Sequence, residues 1–205
     1  MRATGANWPT IRPMSDGLQE TVRASILASI QTKERLLEAC VADIQALCEL
    51  AVQTLKSGGK LFFCGNGGSA CDAAHAAGEL VGWFERKDRK GYPAIALGHE
   101  VPTLTAVGND VGFTEVFARQ LSALGGAQDM LVGISTSGSS KNVIKAIETA
   151  QAMGMKTGVL VSVRPGPMAD LADVAVRVPS EDTARIQESH LLCVHMLCAA
   201  VEQAI

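Results

Sequence analysis

The sequence predicts an α/β fold, a mainly parallel β-sheet in a three-layer sandwich, flanked by N- and C-terminal helices. Three observations carry this. Short apolar runs alternate with helix-period segments between Lys60 and Pro179, the pattern of βαβ units with strands buried in a parallel sheet. Two of those runs end in loops of Gly, Asn, Ser and Thr, the usual place for ligands in such sheets. Helix-period segments also precede the first run and follow the last.

In order, residues 1–17 form an arm, flexible or bound to a partner, and residues 18–205 form a single domain with N-terminal helices at 18–57. Apolar positions recur at three and four from Val22, Ile26 and Ile30 through Leu36, Cys40, Ile44, Leu47 and Leu55, so one long helix or two consecutive ones are expected. The glycines of "SGGK" stop it. "KLFFCG" is a strand, and Ser69 is placed to cap a helix running to about Phe84. "AIALG" is a second strand. "TLTAVGND" is compatible with a short helix or an extended segment. "TEVFARQLSAL" is a helix and "DMLVGIS" a third strand. The helix after "STSGSS" stops at Gly154. "KTGVLVS" and "VAVRVP" are strands around the turn "RPGPMADL", and a long helix runs from Thr183 to the end.

Composition bounds the function. The 205 residues are 47% hydrophobic and 19% charged with a net charge of −3, enough for one substantial core. No basic face points to nucleic acid, and no apolar run reaches the ~20 residues of a membrane span. The first residues lack a secretory h-region. Six cysteines without CxxC spacing, mostly among apolar neighbours, fit buried free thiols in a reducing cytoplasm.

Two loops carry ligand-type chemistry. "GNGGS" follows the first strand and "STSGSS" follows the third. The second combines hydroxyl donors with a helix N-terminus, where free N–H groups and the helix dipole favour an anion. Neither is a Walker A loop or a GxGxxG fingerprint. His75 and Glu79 are spaced i, i+4 on a small-residue helix, and that pair suits zinc and equally a general acid/base. The last helix carries Gln187, Glu188, His190 and His195. His99 is taken as an ordinary surface or core residue.

Taken together, "FCGNGGSACDAAHAAGEL", "GYPAIAL", "AVGNDVGFTEVFARQ", "GISTSGSSKNVIKAIETA" and "TARIQESHLLCVHMLC" resemble the phosphoheptose isomerases of the SIS (sugar isomerase) superfamily. The resemblance implies an SIS-type fold. It also implies conversion of D-sedoheptulose 7-phosphate to D-glycero-D-manno-heptose 7-phosphate, the first step toward nucleotide-activated heptose for lipopolysaccharide or other surface glycans. By motif, Ser135, Thr136, Ser137 and Ser140 would hold the phosphate. Asn66, Gly67, Gly68 and Ser69 would line the sugar site, with Glu79 and Gln187 also touching substrate. Asn109 and Asp110 would meet sugar hydroxyls. His75, Glu79, Gln187 and His195 would hold one Zn2+ per subunit, and Glu79 and His195 would be the acid/base pair. Gly78 departs from many relatives and Ala70 and Ala184 from some, but these four metal positions are intact.

Gln187 and His195 are ~12 Å apart along a straight helix, and His75 and Glu79 ~6 Å. That spacing leads us to expect a site at a subunit interface, in keeping with the family's homotetramers. The alternative from another class is a non-catalytic SIS scaffold of the type that associates with the replication initiator DnaA. That relative lacks the acidic residue and final histidine present here as Glu79 and His195.

Overall fold

The computed structural model describes residues 16–164 and 166–205. The expected arm at 1–17 lies outside the described residues except for its last two, and the helix already begins at Asp16.

Two helices precede the sheet, α1 (Asp16–Ala39) and α2 (Val41–Lys56). They break at Cys40, whose backbone leaves the helical region and whose buried thiol donates to the Arg177 carbonyl at 3.3 Å. A tertiary contact, absent from the local sequence pattern, divides the helical run. Then come β1 (Leu61–Gly65), α3 (Gly68–Val81), β2 (Ala94–Ala96) and α4 (Val101–Asp110), followed by a 3-10 turn at Phe113–Glu115. The chain continues through α5 (Val116–Leu124), β3 (Met130–Ile134), α6 (Lys141–Ala152) and β4 (Lys156–Ser162). It closes with α7 (Met168–Leu171), β5 (Val174–Val178) and α8 (Thr183–Ala204).

Three local expectations are corrected. Ser69 does not cap α3: the helix starts at Gly68 behind Gly67, whose positive φ of 55° turns the chain. The same helix ends at Val81 rather than near Phe84. The "RPGPMADL" turn contains a helical turn, α7.

All four strand pairings are parallel, in the order β2-β1-β3-β4-β5. The chain leaves β1 first to one side and later to the other, so the order reverses between β1 and β3. A crevice opens at such a switch point, beyond the carboxyl ends of the strands. Gly65 and Ile134 are paired in register there, so the two ligand-type loops leave adjacent strands at the same level.

Two apolar cores sandwich the sheet. One packs Leu47, Ala73, Ala76, Leu80, Val194 and Leu197 from α2, α3 and α8 against Phe63, Val132 and Leu160. The other packs Phe117, Leu121, Val143 and Ile147 from α5 and α6 against Phe62, Leu131 and Val159. Two strand glycines allow close approach on opposite faces. A Cβ on Gly158 would meet Leu47 Cδ1 at 2.4 Å, and one on Gly133 would meet Val143 Cγ1 at 2.8 Å. The buried Asp129 carboxylate fastens the starts of β1 and β3, accepting from Lys60 N and Nζ and from Gly126 N.

Five cysteines are buried free thiols, as expected, and burial pushes Cys64, Cys193 and Cys198 up to about 12. Cys71 is the exception: it lies exposed on the first turn of α3. Among the described residues, no helix is long and apolar enough to cross a membrane.

Candidate active site

The small side chains of α3 let α8 pack against it, and this contact joins two distant parts of the sequence. His75 Nε2 lies 3.2 Å from Glu79 Oε1 one turn along the same helix. It also lies 3.1 Å from His195 Nε2 on α8. Phe84 stacks on the His195 ring, with centroids 5.4 Å apart and planes 29° from parallel.

A buried ion pair holds that wall in place. The Glu202 carboxylate accepts from the backbone N–H groups of Phe84, Glu85 and Arg86 and from Arg89 Nε at 2.6 Å. Burial favours its neutral form, but the donors, led by the Phe84 N–H and Arg89, outweigh that and hold the carboxyl at about 2. Arg89 also donates to the Glu79 and Leu80 carbonyls. Both carbonyls lie in the last turn of α3, and Leu80 also accepts from Tyr92 N, so Arg89 and Tyr92 together close that helix.

Glu79, His75 and His195 form a chain of groups that are all able to accept. A single proton on His75 Nε2 can serve only one of its two contacts at a time. Protons or a cation must occupy such a cluster. In a tetrahedral zinc site with Zn–N near 2.0–2.1 Å, neighbouring donor atoms stand ~3.3 Å apart. Two edges of that figure, at 3.1 and 3.2 Å, are already present. The figure is not closed, because Glu79 and His195 are paired with His75 but not with each other. Accordingly, among the described residues no group of three His, Cys, Asp or Glu side chains forms a ready metal cluster. The donor chemistry and two edges fit zinc, and closure requires partly exposed side chains to turn. Gln187 lies elsewhere, against the glycine loop: a Cβ on Gly68 would meet its Nε2 at 2.3 Å.

The second loop places its hydroxyls together. Ser135 Oγ is 2.9 Å from Ser140 Oγ and 3.4 Å from Ser137 Oγ, and Ser139 Oγ donates to Ser137 Oγ at 3.0 Å. Ser140 precedes α6 but makes no side-chain cap, which leaves first-turn N–H groups for a ligand. Gly138 turns the loop at a positive φ of 64°. Thr136 is held through its carbonyl, which accepts from the buried Ser162 hydroxyl.

His75, Glu79 and His195 lie well along α3 and α8, near Leu80, whose carbonyl accepts from Tyr92 N just before β2, whereas the residues of the two loops gather at the switch point. Asn109 and Asp110 do not: they hydrogen-bond each other at the exposed end of α4 and no hydrogen bond ties them to either loop. Among the described residues, His99 hydrogen-bonds the Ala70 carbonyl and stays at the surface. Sequence reasoning passed over Phe84, Ser139, Asn142 and Asp72. Asp72 precedes His75 by three residues; burial raises its carboxyl and His75 draws it back down. Its spacing from His75 could have flagged it. Phe84 gave no local signal.

The sheet order, the serine loop before α6 and the α3–α8 contact define an SIS domain. The SIS domain family model matches residues 26–162. The chain belongs to the phosphoheptose isomerase family. It is 46% identical to the phosphoheptose isomerase of Helicobacter pylori strain P12 over 186 residues, covering 91% of this chain and 96% of that one. The structure of phosphoheptose isomerase from Neisseria gonorrhoeae superimposes with a TM-score of 0.85 at 42% identity, covering 91% of this chain and 99% of that one. The one from Francisella tularensis gives 0.87 at 37% identity, covering 93% and 100%.

Proposed function

We propose that this isomerase converts D-sedoheptulose 7-phosphate to D-glycero-D-manno-heptose 7-phosphate. The observation that carries the reading is the Glu79–His75–His195 chain, in a molecule that also carries a hydroxyl-rich anion seat at the switch point. The phosphate sits against Ser135, Thr136, Ser137 and Ser140 and the N-terminus of α6. The sugar runs along Asn66, Gly67, Gly68 and Ser69 toward α3, with Gln187 above Gly68; Asn109 and Asp110 would meet its hydroxyls from the exposed end of α4, which no hydrogen bond ties to either loop within one chain.

A ketose becomes an aldose when a proton leaves C1, the C2 oxygen gains one, and the resulting enediol is reprotonated at C2 as O1 loses its proton. Glu79 and His195 divide these transfers between carbon and oxygen. The stacked Phe84 ring and the His75 contact orient the His195 ring. His75, Glu79, Gln187 and His195 would hold one zinc ion per subunit. When bound, zinc supplies a Lewis acid for the oxygens at C1 and C2.

The assembly we propose is a homotetramer with sites at subunit interfaces. Two features support it. Leu18, Val22, Ile26 and Ile30 form an exposed apolar stripe along α1, larger than lone surface apolar residues require. Gln187 stands apart from the other three donors on α8. Free buried thiols support a cytoplasmic setting, and the product's chemistry suits a precursor of nucleotide-activated heptose for surface glycans such as lipopolysaccharide.

The non-catalytic scaffold reading is disfavoured, because a binding scaffold has no need for a carboxylate and an imidazole held on one hub histidine. The test is turnover: the purified chain is stripped of metal, then incubated with sedoheptulose 7-phosphate with and without zinc. Aldose formation is expected. No turnover under any metal condition would leave the scaffold reading standing.

A further inference from the structure

Asn142, which is buried at 3% exposure on the first turn of α6, is used by no step above. Its side chain forms a reciprocal amide pair with Asn66. Asn66 Nδ2 donates to Asn142 Oδ1 at 2.9 Å, and Asn142 Nδ2 donates to Asn66 Oδ1 at 2.8 Å. The backbone N–H of Val143 also donates to Asn142 Oδ1, at 3.0 Å.

That third bond decides the orientation of both amides. A backbone N–H can only donate, so the group facing it must be the Asn142 oxygen. The Asn142 NH2 then faces Asn66 Oδ1, and the Asn66 NH2 faces back. With the pair closed, Asn66 keeps one N–H and one lone pair for a ligand, each at a determined position. Asn142 Oδ1 is saturated by two donors.

The pair also spans the two ligand loops. Asn66 follows β1 in the glycine loop, while Asn142 stands at the helix N-terminus that closes the serine loop. Their strands are neighbours, ~4.8 Å apart, and beyond the sheet this pair bridges the loops by side-chain hydrogen bonds, alone in doing so among the described residues. We propose that Asn142 is a positioning and specificity-determining residue. It sets the distance from the phosphate seat to the sugar seat and the orientation in which Asn66 meets the sugar. The proposal rests on the sugar-phosphate reading above.

The test compares wild type, Asn142→Ala, Asn142→Asp, Asn66→Ala and the Asn66→Ala/Asn142→Ala double variant. Thermal melts accompany kinetics with sedoheptulose 7-phosphate and inhibition by inorganic phosphate, which probes the serine loop alone. We expect Asn142→Ala to raise KM about tenfold, the worth of one or two hydrogen bonds. Phosphate inhibition should shift less than about twofold, because the serine hydroxyls are untouched. Asn142→Asp, nearly the same size, should lose comparably because its carboxylate cannot donate to Asn66 Oδ1. The double variant should be no worse than Asn66→Ala.

The role is overturned if a folded Asn142→Ala or Asn142→Asp matches wild type, if phosphate and sugar phosphate weaken equally, or if the single losses add. A wild type that never turns over the sugar phosphate would count against the proposed function instead.

Discussion

His195 Nε2 sits 3.1 Å from His75 Nε2 within one chain, across 120 residues of sequence. The α3 and α8 halves of the site therefore meet without a second subunit, although helix spacing alone had suggested otherwise. Gln187 is the donor that remains apart. This contact places Glu79 and His195 at the two ends of one chain through His75, and the proposed acid/base roles can be tested there. Glu79→Gln and His195→Gln keep size and polarity but remove the proton-transfer group. Each should lower kcat by about 10²–10⁴-fold with an unchanged melting temperature. Near-wild-type rates in both would refute the acid/base assignment.

Zinc should organise the same cluster. Imidazoles and carboxylate bind metal only when deprotonated, so zinc affinity, read by calorimetry, should fall as the medium is acidified. Removing the hub with His75→Ala should weaken affinity by more than about tenfold, since it deletes one ligand outright. Equal affinity in that variant would place the metal elsewhere.

The Glu202–Arg89 clamp should show in stability. Removing one partner of a buried pair costs about 3–5 kcal/mol, so Glu202→Gln should lower unfolding free energy by that order at neutral pH. Glu202 is held at about 2, below its usual 4.5. Its contribution is therefore present above 4.5 and is lost as pH falls toward 2. Wild type and variant should converge across that window, and a constant gap would contradict the cause given.

His190 supplies a second, separate slope. It is wholly buried on α8, with Nε2 on the Val161 carbonyl at 3.2 Å. Burial lowers it to about 4 despite that hydrogen bond. The unfolded chain binds this proton more readily, so stability should decline as pH falls from 6.5 to 4. The decline should approach ~3 kcal/mol, and His190→Asn should lack it in pH-dependent denaturant melts. An identical slope in the variant would assign it to other groups.

The stripe on α1 offers a check on assembly. Ile26 is 57% exposed at its centre. If chains associate there, Ile26→Lys should lower the mass seen by sedimentation while leaving the fold intact, because the side chain contributes little to the monomer's core. An unchanged mass would move the interface to another face.

Local sequence patterns determined the strand–helix alternation, the parallel sheet, both ligand loops and the pairing of His75 with Glu79. Each of these rests on period, glycine placement or one helical turn, all readable over a few residues. Other features depended on distant segments. The helix break at Cys40 comes from a thiol bond to β5, and the α3 helix ends where Arg89 meets its carbonyls. Ser69 has the composition of a cap, but the positive φ at Gly67 starts the helix two residues earlier. Phe84 reaches His195 because Glu202 gathers its backbone N–H. Asn142 reaches Asn66 because β1 and β3 are neighbours. By itself the sequence determined which chemistries the chain carries; only the tertiary structure decided which side chains share them, because the partners lie on elements brought together by sheet order and helix packing.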